Sequence, residues 1–519
     1  MASRNAQYVV HPAMGGLDTT KAPTLLAADQ LSDALNIEYF TSGARKKRLG
    51  STRYNATAIT GTGVVTALKD FWRYGASLTP TQKFVGHSGT RIVKDDGDGV
   101  WDVLNAAWGT GTSNVCITIA GDYAVFSADN GDAPRTWDQT TEAAVGGTPP
   151  TFAFSSFHLG RLWAAGVAAA PSTPYFSAAG DINTWSGADA GTLPTMDAGD
   201  GDRIMGISEP WFGRLYWFKG PNFGSVFEIS GSSVSTFAQQ RLFTGAPCVA
   251  HQSIITTPTD IFWASRYGFH SLKTTQAYGD TQQNFISAPI QASFNDLNPN
   301  TLSSAYGFYH PRRNIIGWAV REAGKSDNSA LFVYNFKLGL RSIWKFTGLS
   351  PRSVAVMRDP AAGSTQGSSR MYLGDIDGFV IQCDNTTLTD DNGSAYTASF
   401  STPTYVDLGE GFGPLVEKQL YSVTTFFAPK GNYTADLTVD VDGRTQSATV
   451  SFAQTGGALD SFVLNTDILG GSSYDFVETP MQDAGRAIKL TYSQAGSSQD
   501  MEIYGYALRI AAAETHALE

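Results

Sequence analysis

The chain has 519 residues and a formal net charge of −11, an acidic balance that argues against general affinity for nucleic-acid backbones. Hydrophobic residues make up 42% and charged residues only 16%; with 12% aromatics and 54 glycines, this points to short strands joined by tight turns rather than amphipathic helices. The length suits several ordinary domains, or one large β assembly with a smaller unit.

Cys116, Cys248 and Cys383 lie far apart, with no CxxC pair and no disulfide framework. They read as buried small hydrophobes in a protein made in a reducing compartment. The opening "MASRNAQYVVHPAMGG" lacks the apolar core of a signal peptide, and no run of about 18 apolar residues occurs, so no membrane span is expected.

In chain order, "TLLAADQLSDALN" (24–36) reads as a short helix, and Asn36 to Phe40 as a strand that meets a turn at Ser42-Gly43. A basic cluster follows: Arg45, Lys46, Lys47 and Arg48. From about residue 83 to 385 one unit recurs, an apolar strand, a Gly/Asp/Asn turn and another apolar strand. "KFVGHSGTRIVKDDGDGVW" (83–101), "DYAVFSADNGDAPRTW" (122–137) and "DIFWASRYGFHSL" (260–272) are clear copies. Aromatic and β-branched residues alternate with polar ones at period two, and Gly or Asp stands where hairpins need positive φ. The irregular spacing falls in the range of propeller blades.

After about residue 400 the alternating runs lengthen, with hairpin signals at Lys430-Gly431-Asn432 and Asp442-Gly443. Such strands describe a β-sandwich, and "TDDNGSA" (389–395) reads as a linker. The expected architecture is all-β: an N-terminal assembly segment (1–60) with short helix, strand and basic turn, a six- or seven-bladed β-propeller (61–388), and a β-sandwich (396–519).

Three acidic clusters invite a metal reading: Asp95, Asp96 and Asp98; Asp197, Asp200 and Asp202; Asp375 with Asp377. Each lies between strand runs, where Asp-Gly is ordinary turn chemistry, and "DAGDGD" lacks the terminal glutamate of a calcium loop. "SADNGDAPRTW" (127–137) resembles the Asp-box hairpin of sialidase-type propellers, and "SAAGDINTW" (177–185) is a degenerate copy. Asp-boxes are structural turns. No G-x-S-x-G elbow, H-E-x-x-H helix or phosphate loop occurs, and His11, His87, His158, His251, His270, His310 and His516 are scattered singly. Carboxylate pairs for glycoside cleavage would come from different blades, so spacing does not pair them. No enzyme activity, cofactor or metal is expected.

Three stretches together bring a family into view. "GGLDTTKAPTLLAADQLSDALNIEYFTSGARKKRLG" (15–50) resembles the N-terminal stretch of tail nozzle (hub) proteins of short-tailed phages, on Gly15, Gly16, Asp33, Ala34, Asn36, Gly43, Arg45, Arg48 and Gly50. "GRLWAAG" with "PYFSAAGDINTW" (160–185), and "TDIFWASRYGFHSL" with "ISAPIQ" (259–291), resemble later stretches in the same order. The likeness covers the propeller region better than the last 120 or so residues. It departs at Leu49, where the family often has proline.

The resemblance implies a structural virion protein of the tail. Six copies would form a homohexameric ring below the portal and its adaptor, continuing or closing the channel for DNA ejection and docking fibres or spikes. Genomic DNA would pass its lumen without specific binding. In that setting the basic cluster is expected as an inter-subunit clasp, with Arg45, Lys46, Lys47 and Arg48 reaching carboxylates of a neighbouring subunit or the adaptor. The alternatives are a glycan-binding or sialidase-like propeller, and a fibre or baseplate subunit of a longer tail.

Overall fold

The computed structural model describes residues 6–12, 15–39, 44–59, 63–74, 80–272, 285–358, 369–385, 389–409, 411–429, 431–453 and 474–512. The chain packs as two units: residues 52–332 with 348–384, and residues 1–51 with 333–347 and 385–519.

In the larger unit, short antiparallel strands follow one another in seven blades. The first four blades have four strands each, opening at Val65–Tyr74, Val115–Ala120, Phe154–His158 and Arg203–Ile207. The fifth has three strands among the described residues, beginning at Ile255–Thr256, and the sixth begins at Tyr306–His310. The seventh, Ser353–Arg358, Ser369–Gly374 and Val380–Asn385, takes its outermost strand from Gly50–Arg53, far upstream. The opening strands are neighbours around a ring that closes where Val65–Tyr74 lies beside both Val115–Ala120 and Ser353–Arg358. The larger unit is therefore a seven-bladed β-propeller.

The aromatic alternation of the sequence explains the packing between blades. The second strands of blades three to six each carry one tryptophan that is at most 1% exposed: Trp163, Trp217, Trp263 and Trp318. Trp163 and Trp217 meet edge to face across neighbouring blades, with ring centroids 6.4 Å apart. Closure is held by Asn55, whose Oδ1 accepts from the Val380 N–H (2.7 Å) while its Nδ2 donates to the carbonyls of Thr57 and Gly378.

The smaller unit is a sandwich of two sheets. One joins Ile37–Tyr39, Arg45–Lys47, Glu502–Ala512, Lys418–Phe427 and Asp475–Gly485, with Gln7–Pro12 also on Glu502–Ala512. In the other, Leu340–Trp344, Asp33–Leu35, Ala398–Ser401, Ile488–Gln494, Thr434–Val441 and Arg444–Ser451 lie in that order. The sheets meet through polar contacts as well as apolar ones: Thr425 Oγ1 lies 2.8 Å from Tyr492 Oη, and the hydroxyls of Tyr405 and Tyr506 are hydrogen-bonded.

Four expectations are corrected here. The stretch 24–36 is not a helix: Pro23–Leu25 is one 3-10 turn and Asp33–Leu35 is a strand on Ala398–Ser401. Thirteen residues are marginal as an isolated helix, and burial of Leu31 and Ala34 against the sheet outweighs their propensity. Arg45–Lys47 is not a turn but a strand antiparallel to Ile37–Tyr39, while Ser42-Gly43 lies outside the described residues. Residues 389–395 are not a free linker, because Asp390 and Asp391 are buried and paired. The chain near Gly431-Asn432 joins strands of different sheets, whereas Asp442-Gly443, both at positive φ, does close a hairpin. Lys430 lies outside the described residues.

Candidate functional site

The basic cluster is the first candidate, and the pleat decides its fate. Along Arg45–Lys47 alternate side chains leave opposite faces, so Arg45 and Lys47 share the buried face. Both are 0% exposed and Arg48 is 1% exposed. Arg45 donates to the Asp29 carbonyl (2.7 Å) and lies 5.0 Å from the Phe400 ring. Lys47 donates to Gln494 Oε1 (2.7 Å) and the Gly496 carbonyl (3.0 Å). Burial, then the charge of Arg48, outweighs the nearby aspartates and brings its pKa down to about 8. Lys46, on the other face, pairs with Asp500 at 3.4 Å.

Arg48 is the centre of the arrangement. Its guanidinium grips Asp391 with two hydrogen bonds, 2.9 and 2.6 Å, between rings of Phe346 (4.1 Å) and Tyr396 (3.8 Å). It also donates to Asn36 Oδ1 and the Lys345 carbonyl. Asp391 accepts in addition from the Ser51 hydroxyl and the Thr347 N–H, both at 2.9 Å. Residues 48–51, 345–347 and 391 belong to the three separate segments that make up the smaller unit. The cluster is therefore a clasp within one chain. Within the chain, Arg48 pairs with Asp391 and Lys46 with Asp500. The buried Arg48 guanidinium needs partners close by, and the fold supplies them.

Other resemblance positions act in the same way. Asn36 takes a left-handed conformation (φ 55°), and its side chain also binds the Lys345 N–H and the Thr397 carbonyl. Gly15 passes so close to Asp29 that a Cβ would fall 2.3 Å from its carbonyl oxygen. In the third blade, Ser177 Oγ accepts from the Leu162 N–H while Arg161 donates to the Ser177 carbonyl. In the fifth, Ser287 Oγ accepts from the Phe269 N–H.

The acidic clusters are turn locks. Asp95 accepts from the N–H groups of Gly97 and Gly99 and from Tyr54, and Asp96 pairs with Lys83 and Lys94. Asp202 accepts from the N–H groups of Asn222, Phe223 and Gly224, Asp200 pairs with buried Lys219, and Asp197 with Arg241. Asp375 accepts from the Ser350 N–H. Among the described residues no group of three or more His, Cys, Asp and Glu is arranged to hold a metal ion. Of the histidines, His87 and His270 are fully buried; His87 bridges Thr66 and the Trp108 carbonyl, and His270 stacks on Trp263.

The second candidate was not foreseen. The seven opening strands surround a central cavity of about 730 Å³. Lys69 and Glu209 form an ion pair there at 2.9 Å, and the lysine holds the Glu209 carboxyl below the usual carboxylate range. Cys116, read from sequence as an inert small hydrophobe, has its Sγ 3.2 Å from His251 Nε2 on the cavity wall. Burial pushes this thiol up, but the charge and hydrogen bond of His251, with the contacts to Ser155 and Thr118, prevail and bring it down to about 6. Cys248, buried without such a neighbour, is pushed up to about 12. The signal for the pair is absent from local sequence, because its members are 135 residues apart.

No protein-family model matches the chain, and no curated protein sequence does. Among solved structures it is similar to YCF48 from Cyanidioschyzon merolae (11% identity, TM-score 0.37, covering 64% of this chain and 98% of that one). It is also similar to BamB from Moraxella catarrhalis (12%, TM-score 0.34, 66% and 98%). A third is the extracellular domain of the putative one component system BT4673 from B. thetaiotaomicron (10%, TM-score 0.39, 89% and 62%). Likenesses this distant carry no argument about function.

Proposed function

We propose that the chain is a structural virion protein, a nozzle or hub subunit of a short-tailed phage tail. Six copies form a ring below the portal and adaptor that continues or closes the DNA channel and docks fibres. The observation that carries this reading is that described residues of the resemblance are scaffold residues. Gly15, Asn36, Arg48, Arg161 and Ser177 are bound up in backbone crossings, a buried ion pair and blade hydrogen bonds. A signature made of packing and capping positions preserves a shape, which is what an assembly subunit must present.

Co-sedimentation of the full chain with portal–adaptor complexes tests the proposal. The expected result is saturation at six copies per portal assembly. Absence of the chain from the complex at micromolar concentration overturns it.

A further inference from the structure

We propose that Cys116 and His251 form a nucleophilic thiol site in the wall of the propeller cavity, one that undergoes exchange with low-molecular-weight disulfides to give a mixed disulfide on Cys116. The site stands on geometry. His251 Nε2 faces the Cys116 sulfur at 3.2 Å, and the Ile207 N–H, 3.3 Å from Nδ1, holds the ring in that orientation. Phe154 stacks on the imidazole at 5.1 Å and fixes its plane. The sulfur thus lies closer to the imidazole than to Thr118 Oγ1 and the Ser155 carbonyl, which are 3.6 and 3.7 Å away. Such an environment favours thiolate, the form that attacks disulfides.

Besides the pair, the charged and titratable residues lining the cavity are Lys69, Asp70, Glu209, Tyr306 and Tyr309. Lys69 and Glu209 neutralise one another, which leaves His251 as the group that sets the state of the sulfur. Gln252 and Thr256 also line this wall; their Nε2 and Oγ1 atoms are buried and have no hydrogen-bond partner among the described residues.

The step balances without a further oxidant. The Cys116 thiolate forms a bond to one sulfur of the disulfide. The old S–S bond breaks, and its electron pair leaves on the second sulfur as a thiolate, which takes a proton from solvent. Cys116 is oxidised to the mixed-disulfide level, and the departing half of the reagent is reduced. The adduct occupies the cavity.

The test uses the folded full-length protein, oxidised glutathione and cystamine as disulfides, and iodoacetamide as an alkylating probe, read at each cysteine by peptide mass spectrometry. Cys116 should react at least ten-fold faster than Cys248, with the half-maximal rate near pH 6, and should gain one thiol adduct that dithiothreitol removes. His251→Gln should move the midpoint upward by at least one pH unit, toward an ordinary thiol. Equal rates at Cys116 and Cys248 in the native protein overturn the proposal whether or not the variant folds. A folded His251→Gln protein with an unchanged pH profile overturns the role of His251. The nozzle reading is independent of either result.

Discussion

Arg48 and Asp391 are 343 residues apart in the chain and meet as a bidentate pair with side chains only 1% and 0% exposed. The pair makes further polar contacts with other described residues of the chain. The guanidinium reaches Asn36 and Lys345, and the carboxylate receives Ser51 and Thr347. This one contact therefore ties together the three segments of the sandwich unit. Removing one partner leaves the other charged in a desolvated site, while removing both does not.

Asp391→Ala should destabilise the sandwich by roughly 3–5 kcal/mol, and Arg48→Met by a comparable amount. The double variant should cost clearly less than the sum. Urea unfolding followed by hydrogen exchange in residues 398–401 and 488–494 reads the effect. Strict additivity of the two losses would deny the pair its role.

Lys47 gives the sandwich a pH dependence of definite sign. It binds its proton more weakly folded than unfolded, so unfolding takes up a proton between about pH 8 and the ordinary lysine range. The burial penalty is fully present below about pH 8 and is relieved as pH rises above it. The wild type should gain stability over Lys47→Met across that window, measured as the difference in urea midpoints at pH 7.5 and 10. A constant difference would mean that Lys47 titrates as an exposed lysine.

Asn55 joins the strand that closes the seventh blade. Asn55→Ala leaves the Val380 N–H and the Gly378 carbonyl without these partners and should cost roughly 2–4 kcal/mol. Amide exchange should rise first at residues 380–382. Faster exchange elsewhere in the propeller, with this blade unaffected, would contradict its place in closure.

Two turn glycines separate strain from collision. Gly131 has φ +87° with open space around it, so Gly131→Ala should cost about 1–2 kcal/mol for the left-handed backbone alone. Gly147 has φ +69°, and a Cβ there would fall 1.8 Å from the Asn183 carbonyl oxygen. Gly147→Ala should lower the melting temperature several times more than Gly131→Ala in parallel scanning calorimetry.

The sequence shows the strands well because the cause is local. Alternation in runs such as Thr434–Val441 and Asp-Gly at 442–443 each specify strand or hairpin within a few residues. The N-terminal stretch misleads because its conformation is imposed from elsewhere: Asp33–Leu35 becomes a strand only when Ala398–Ser401 lies beside it. The basic cluster looks like a surface feature for the same reason, since Arg48 finds its carboxylate beyond residue 390. Cys116 and His251 belong to different blades, and only ring closure brings them together. Local chemistry was legible, and pairings set by distant segments were not.

The proposed function stands on a ring of six copies. Electron microscopy with class averaging of the purified chain mixed with portal–adaptor complexes tests it most directly. Closed six-fold rings stacked beneath the adaptor are the expected result. Single propeller subunits that leave the adaptor bare would contradict it.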